Sequence, residues 1–123
     1  MSIPQLNTIA GVNYDILAYS DVTFNIQLTF TDGAGNPISK AGAVFLFTIR
    51  ETLKSSSPIA LQLTSGAGQI TVGGTSNNIV TINADLLITG GTYYYELQET
   101  DVSGFSLVPI YGRIFINKSV TTP

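Results

Sequence analysis

A chain of 123 residues with a hydrophobic fraction of 44% has the size of one domain and enough apolar content to bury a core. Charged residues make up only 11%, against about 25% in an ordinary soluble domain, and the net charge is −3. The five cations, Lys40, Arg50, Lys54, Arg113 and Lys118, are too scattered to neutralise a run of phosphates, and no stretch approaches the ~20 unbroken apolar residues of a membrane-spanning helix, so neither nucleic acid nor a membrane is an expected partner.

Residues 1–12, MSIPQLNTIAGV, lack a cationic stretch followed by a long apolar run and do not read as a secretory signal; folding in a cytoplasm is expected. They read as an N-terminal arm whose apolar residues Ile3, Leu6, Ile9 and Val12 have no evident place in a core. Asn13 to Tyr19 reads as the first strand. Val22 to Phe30 alternates Phe24, Ile26, Leu28 and Phe30 against Thr23, Asn25, Gln27 and Thr29, the mark of a half-buried strand. Asp32 to Pro37, DGAGNP, is a turn by composition. Ala43 to Arg50 is a strand with Phe45, Phe47 and Ile49 on the core face, and Ile59 to Leu63 is a short one beyond a loop.

The stretch SGAGQITVGGTSNNIVTI, Ser65 to Ile82, is rich in glycine and half resembles a phosphate-cradling loop. A phosphate loop needs Gly-Lys-Ser/Thr leading into a helix, so that amide hydrogens and the Lys face the anion. Here Gly68 leads into the β-branched run QITV. The stretch reads instead as a hairpin of Gln69 to Val72 and Asn78 to Asn83. Ala84 to Gly91 breaks the alternation, and a single helical turn ended by Gly90–Gly91 is expected there. Thr92 to Glu99 restores it, with Tyr93, Tyr95 and Leu97 inward and Tyr94, Glu96 and Gln98 outward. Pro109 to Asn117 is the last strand. The elements predict a β-sandwich over residues 13–120, with 121–123 as a tail.

Catalytic chemistry has little to stand on. The chain holds neither His nor Cys, so the commonest proton shuttle, metal ligand and thiol nucleophile are absent. Glu96, Glu99 and Asp101 form the sole carboxylate cluster, but Glu96 and Glu99 fall on opposite faces of one strand, poor geometry for a catalytic pair. They read as solvated charges beside a turn. Arg50 and Arg113 are expected to pair with Glu51, Glu96 or Glu99 at strand ends. No catalytic residue, cofactor or metal is expected. The stronger signal is aromatic: Tyr94 lies on the outward face, and Tyr111 and Phe115 share a parity that lets them join it in a patch. Exposed aromatics mark protein interfaces or sugar-stacking sites. The neutral surface of Thr, Ser, Asn, Gln and Gly suits contact with neighbours.

The ordered set VTFNIQLTFTDGAGNPIS, AGAVFLFTIRET, SGAGQITVGG, NNIVTINADLLITGGTYYYELQETDVSG and GRIFINKSV resembles the small Ig-like structural proteins of tailed phages, including the N-terminal domain of baseplate upper proteins. The resemblance covers about residues 13–120. It implies an all-β fold, an Ig-like antiparallel β-sandwich of about 7–9 strands with one short helical turn. It also implies a non-enzymatic part of a virion, in the tail or at a fibre attachment, whose partners are other virion proteins and copies of itself. The family supplies no catalytic residues. Capsid decoration and a carbohydrate- or receptor-binding module are the alternatives, a glycan being the minor one.

Overall fold

The computed structural model describes residues 11–20, 22–54 and 56–118. Among them are nine strands: β1 (Val12–Asn13), β2 (Ile16–Tyr19), β3 (Thr23–Thr29), β4 (Val44–Arg50), β5 (Ile59–Thr64), β6 (Ile70–Gly73), β7 (Ile79–Asp85), β8 (Gly91–Thr100) and β9 (Ser106–Asn117). One sheet has the order β3-β7-β6. The other runs β9-β8-β4-β5, with β1 and β2 laid one after the other along the free side of β9. Every pairing is antiparallel except these two, which run parallel to β9 in a single register, Val12 opposite Ile110 and Ile16 opposite Ile114.

Period-two sequence explains the two layers. On β3, Phe24, Ile26 and Leu28 are buried while Thr23, Asn25 and Gln27 face solvent. Opposite them on β7, Ala84, Ile82 and Val80 carry the same face into the core. The larger sheet answers with Phe45, Phe47 and Ile49 from β4, Tyr95 and Leu97 from β8, and Ile110, Ile114 and Ile116 from β9. Phe47 joins the layers, its ring centroid 6.0 Å from Phe24 and 5.3 Å from Tyr95. Each fully buried side chain of this size contributes about 1.5–3 kcal/mol.

The glycine-rich stretch is a hairpin. β6 and β7 pair antiparallel, and the turn between them uses left-handed backbone at Gly74 (φ 86°) and Asn77 (φ 53°). The expected helical turn at Ala84 to Gly91 is not there: the described residues contain no helix. β7 pairs as far as Asp85, Leu86 is fully buried, Leu87 is exposed, and Ile88 packs on the core. Alternation therefore persists through this segment, and the amide of Ile88 closes a tight turn on the carbonyl of Leu86. The first strand is also corrected. It starts at Val12 and is interrupted at Tyr14–Asp15, and Val12 packs against the core rather than belonging to a free arm. Ile3, Leu6 and Ile9 lie outside the described residues.

Glu99 is not a solvated rim charge. It is buried against Lys40, whose Nζ stands 3.0 Å from both carboxylate oxygens and 4.5 Å from the centroid of the Phe30 ring. The hydrogen bond is directed to Oε2, and Oε1 has no hydrogen-bond partner among the described residues. A second constraint sits at Gly112. A Cβ there would lie 2.5 Å from the carbonyl oxygen of Tyr14 and 3.0 Å from its carbon, both main-chain atoms that cannot swing aside.

Each constraint yields an expectation for urea denaturation. Lys40→Met, which strands a buried carboxylate, is expected to lose about 3–5 kcal/mol, and the double variant Lys40→Met/Glu99→Leu to recover most of it. Gly112→Ala is expected to cost about 1–3 kcal/mol, because the Tyr14 segment must move away from β9.

Candidate functional surface

Strand pairing decides which side chains meet on the solvent side of the larger sheet. Glu96 on β8 stands between Thr48 on β4 and Tyr111 on β9, and Tyr94 stands between Arg50 and Arg113. Tyr94 and Tyr111 are thus diagonal neighbours, a separation aromatic side chains bridge. Between them the surface sinks into a groove of about 420 Å³, lined by Thr48, Arg50, Thr52, Leu53, Tyr94, Glu96, Val108 and Tyr111. That volume falls in the range of ordinary ligand sites.

The loop after β4 forms one lip. The Arg50 guanidinium donates through Nη1 to the carbonyl of Ser57 at 2.6 Å, and the buried Ser57 hydroxyl accepts from the amide of Thr52. This brace holds Leu53 out over the groove, 79% exposed. Beyond the opposite wall, Asp15 accepts from the backbone amide of Arg113 at 3.2 Å and from its guanidinium at 2.8 Å. Those bonds, the side-chain one foremost, hold the Asp15 carboxyl below its ordinary 3.8. Beneath the sheet, the Tyr95 hydroxyl donates to the Tyr14 carbonyl, and burial, with the Asp15 charge adding to it, pushes the phenol well above its usual range.

The structure therefore brings together two of the expected residues, Tyr94 and Tyr111. Phe115 shares their face but lies outside the groove, with the Arg113 guanidinium 5.3 Å from its ring centroid. Neither arginine has its expected partner: Arg113 pairs with Asp15, and Arg50 is taken up by a carbonyl. Asp101 holds the β8–β9 turn, its Oδ1 accepting from the amides of Ser103 and Phe105. Sequence reasoning missed Leu53, hidden in a loop of polar residues. It also missed Val102 and Phe105, which stand 76% and 71% exposed at the β8–β9 turn. An apolar residue at a turn was the available signal for all three.

Chemically the groove offers two phenols, hydroxyls of Thr48 and Thr52, one guanidinium and one carboxylate. Among the described residues no group of three His, Cys, Asp or Glu is placed to hold a metal ion. The arrangement is suited to contact by stacking and hydrogen bonding.

A three-stranded sheet facing a larger one, in which the first two strands pair parallel with the last, defines an immunoglobulin-like β-sandwich. Its likeness to the N-terminal domain of phage TP901-1 ORF48 extends over 93% of this chain and 95% of that one, with a TM-score of 0.56 at 11% sequence identity. Murine CRIg matches over 85% of this chain and 92% of its own with a TM-score of 0.42 and 13% identity; CopC from Methylosinus trichosporium OB3b matches over 65% and 74% with 0.36 and 10%. No protein-family model and no curated protein matches the sequence.

The Asp15 carboxyl is expected to titrate below 3.8 when followed by carboxyl NMR, and Arg113→Gln to move its midpoint up toward that value. Because the folded state lowers this pKa, the Asp15–Arg113 contribution is present above the unfolded value near 3.8 and is lost as pH falls through the folded one.

Proposed function

We propose that the chain is a non-enzymatic structural component of a phage virion, in the tail or at a fibre attachment, working through protein–protein contacts on the outer face of the larger sheet. The observation that carries the reading is the near end-to-end fold likeness to a phage protein domain. It agrees with the ordered motifs that resemble phage tail and baseplate proteins. The surface chemistry supports contact as the mechanism: charged residues are 11% of the chain, and the groove is bounded by Tyr94, Tyr111 and the exposed Leu53. Aromatic anchors in a partly desolvated hollow are the usual centres of binding energy at interfaces, and a neutral rim costs little to dehydrate.

On this reading the partners are other virion proteins and further copies of the chain, met after folding in the host cytoplasm. The same two tyrosines favour a second reading, a site for a neutral glycan stacked on the rings. The readings separate by experiment. Tyr94→Ala/Tyr111→Ala is expected to leave the fold intact and to lower incorporation into particles by at least tenfold, measured by quantitative mass spectrometry of purified virions. Unchanged incorporation together with lost binding on a glycan array would select the second reading instead.

A further inference from the structure

We propose that β3 pairs antiparallel with β3 of a second copy of the chain, joining two small sheets into one continuous sheet. This edge lies in the other sheet from the outer-face groove and gives copies of the chain a separate way to meet. Natural edge strands are blunted by shortness, breaks, Pro, bulges or charge, because unpaired N–H and C=O groups invite another chain. Among the described residues, β3 and β6 bound the small sheet, β5 bounds the large one, and β1 and β2 line its other side. β6 has four residues and runs into left-handed Gly74. β5 follows Pro58 and skips a residue in its pairing with β4, and β1 and β2 are short and parted at Tyr14–Asp15. β3 has none of these devices. Its seven residues, TFNIQLT, keep unbroken register with β7 and include no charged residue, Pro or Gly.

The phase of the hydrogen bonds fixes which groups are free. The Phe30 amide donates to the Asn78 carbonyl, continuing the β3–β7 register, and across β7 the Asn83 amide donates to the Gln69 carbonyl. Phe24, Ile26 and Leu28 therefore direct their main-chain groups to β7, while Thr23, Asn25, Gln27 and Thr29 turn theirs to the open side. The order of side chains then selects the occupant, since TFNIQLT reads nearly alike in both directions about Ile26. A second β3 related by a two-fold axis at Ile26 sets Thr23 opposite Thr29, Asn25 opposite Gln27 and Phe24 opposite Leu28. Hydroxyl meets hydroxyl, amide meets amide, and no charge loses its water. The exposed Leu17, Tyr19 and Val22 flank this edge along the seam with β2 and add apolar surface to cover.

The test uses the full-length chain, which has no native cysteine. At roughly 0.1 mM chain, enough to populate a dimer of micromolar Kd, sedimentation equilibrium is expected to give twice the 13.1 kDa of one chain. Asn25→Lys/Gln27→Lys, at exposed positions, sets like charges opposite each other and should return one chain mass with an unchanged circular dichroism spectrum. Tyr94→Ala/Tyr111→Ala should leave the dimer in place. Disulfide formation reads the register, because Cα atoms about 5.5 Å apart in a hydrogen-bonded pair lie within disulfide reach. An oxidised mixture of Asn25→Cys and Gln27→Cys chains is expected to give the crossed dimer in roughly tenfold excess over either variant linked to itself. A one-chain mass for the unaltered protein overturns the proposal and leaves the edge to a strand of another protein. A dimer that survives the lysine variant, is lost in the tyrosine variant, or links like variants as readily as unlike ones overturns it too. Particle incorporation is not read here, so each of these failures leaves the outer-face surface itself standing.

Discussion

Space for one missing side chain sets the arrangement of this domain's edge. At Gly112 the carbonyl of Tyr14 lies where a Cβ would stand, and that close approach lets the N-terminal segment lie flat along β9. Several interactions converge on the point. The Tyr14 amide donates to the Tyr111 carbonyl, its own carbonyl accepts the Tyr95 hydroxyl, and the next residue, Asp15, caps the Arg113 amide with its carboxylate. The side chain of Asp15 thus supplies an acceptor where strand pairing lapses between β1 and β2. Backbone polar groups at a lapse of this kind need such replacements. The result is a β9 hydrogen-bonded along both sides, with Tyr111 turned outward beside the groove.

Much of this was legible in the sequence because alternation is a local signal. Phe24, Ile26 and Leu28 announced their strand and its buried face, and the glycines around QITV announced a hairpin. What failed was non-local. Lys40 and Glu99 are fifty-nine residues apart and meet only because the loop after β3 folds under β8, so no spacing rule pairs them. Arg113 finds Asp15 across the chain's first and last strands, a parallel pairing that composition does not specify. The absent helix has a different cause. ADLLITGG carries adjacent leucines, which imitate a break in period two, yet Leu86 enters the core while Leu87 remains in water.

The candidate surface was half legible. Parity placed Tyr94 on the outward face and gave Tyr111 a like orientation, and register then made them neighbours. Phe115 obeyed the same parity but sits farther along β9, where Arg113 covers it, because parity assigns a face and not a position along the strand. The lip of the groove depends on Arg50 gripping the Ser57 carbonyl, a side-chain-to-loop bond without a periodic signature.

The parallel docking of β2 on β9 also has a mechanical meaning. Because the two strands point the same way, Gly11 and Lys118 emerge at opposite poles of the sandwich. Tension applied between those poles drives β2 and β9 past each other along their length. The backbone hydrogen bonds joining Ile16–Tyr19 to Ile114–Asn117 then carry the load together, in shear, instead of opening one at a time as in a peeled hairpin.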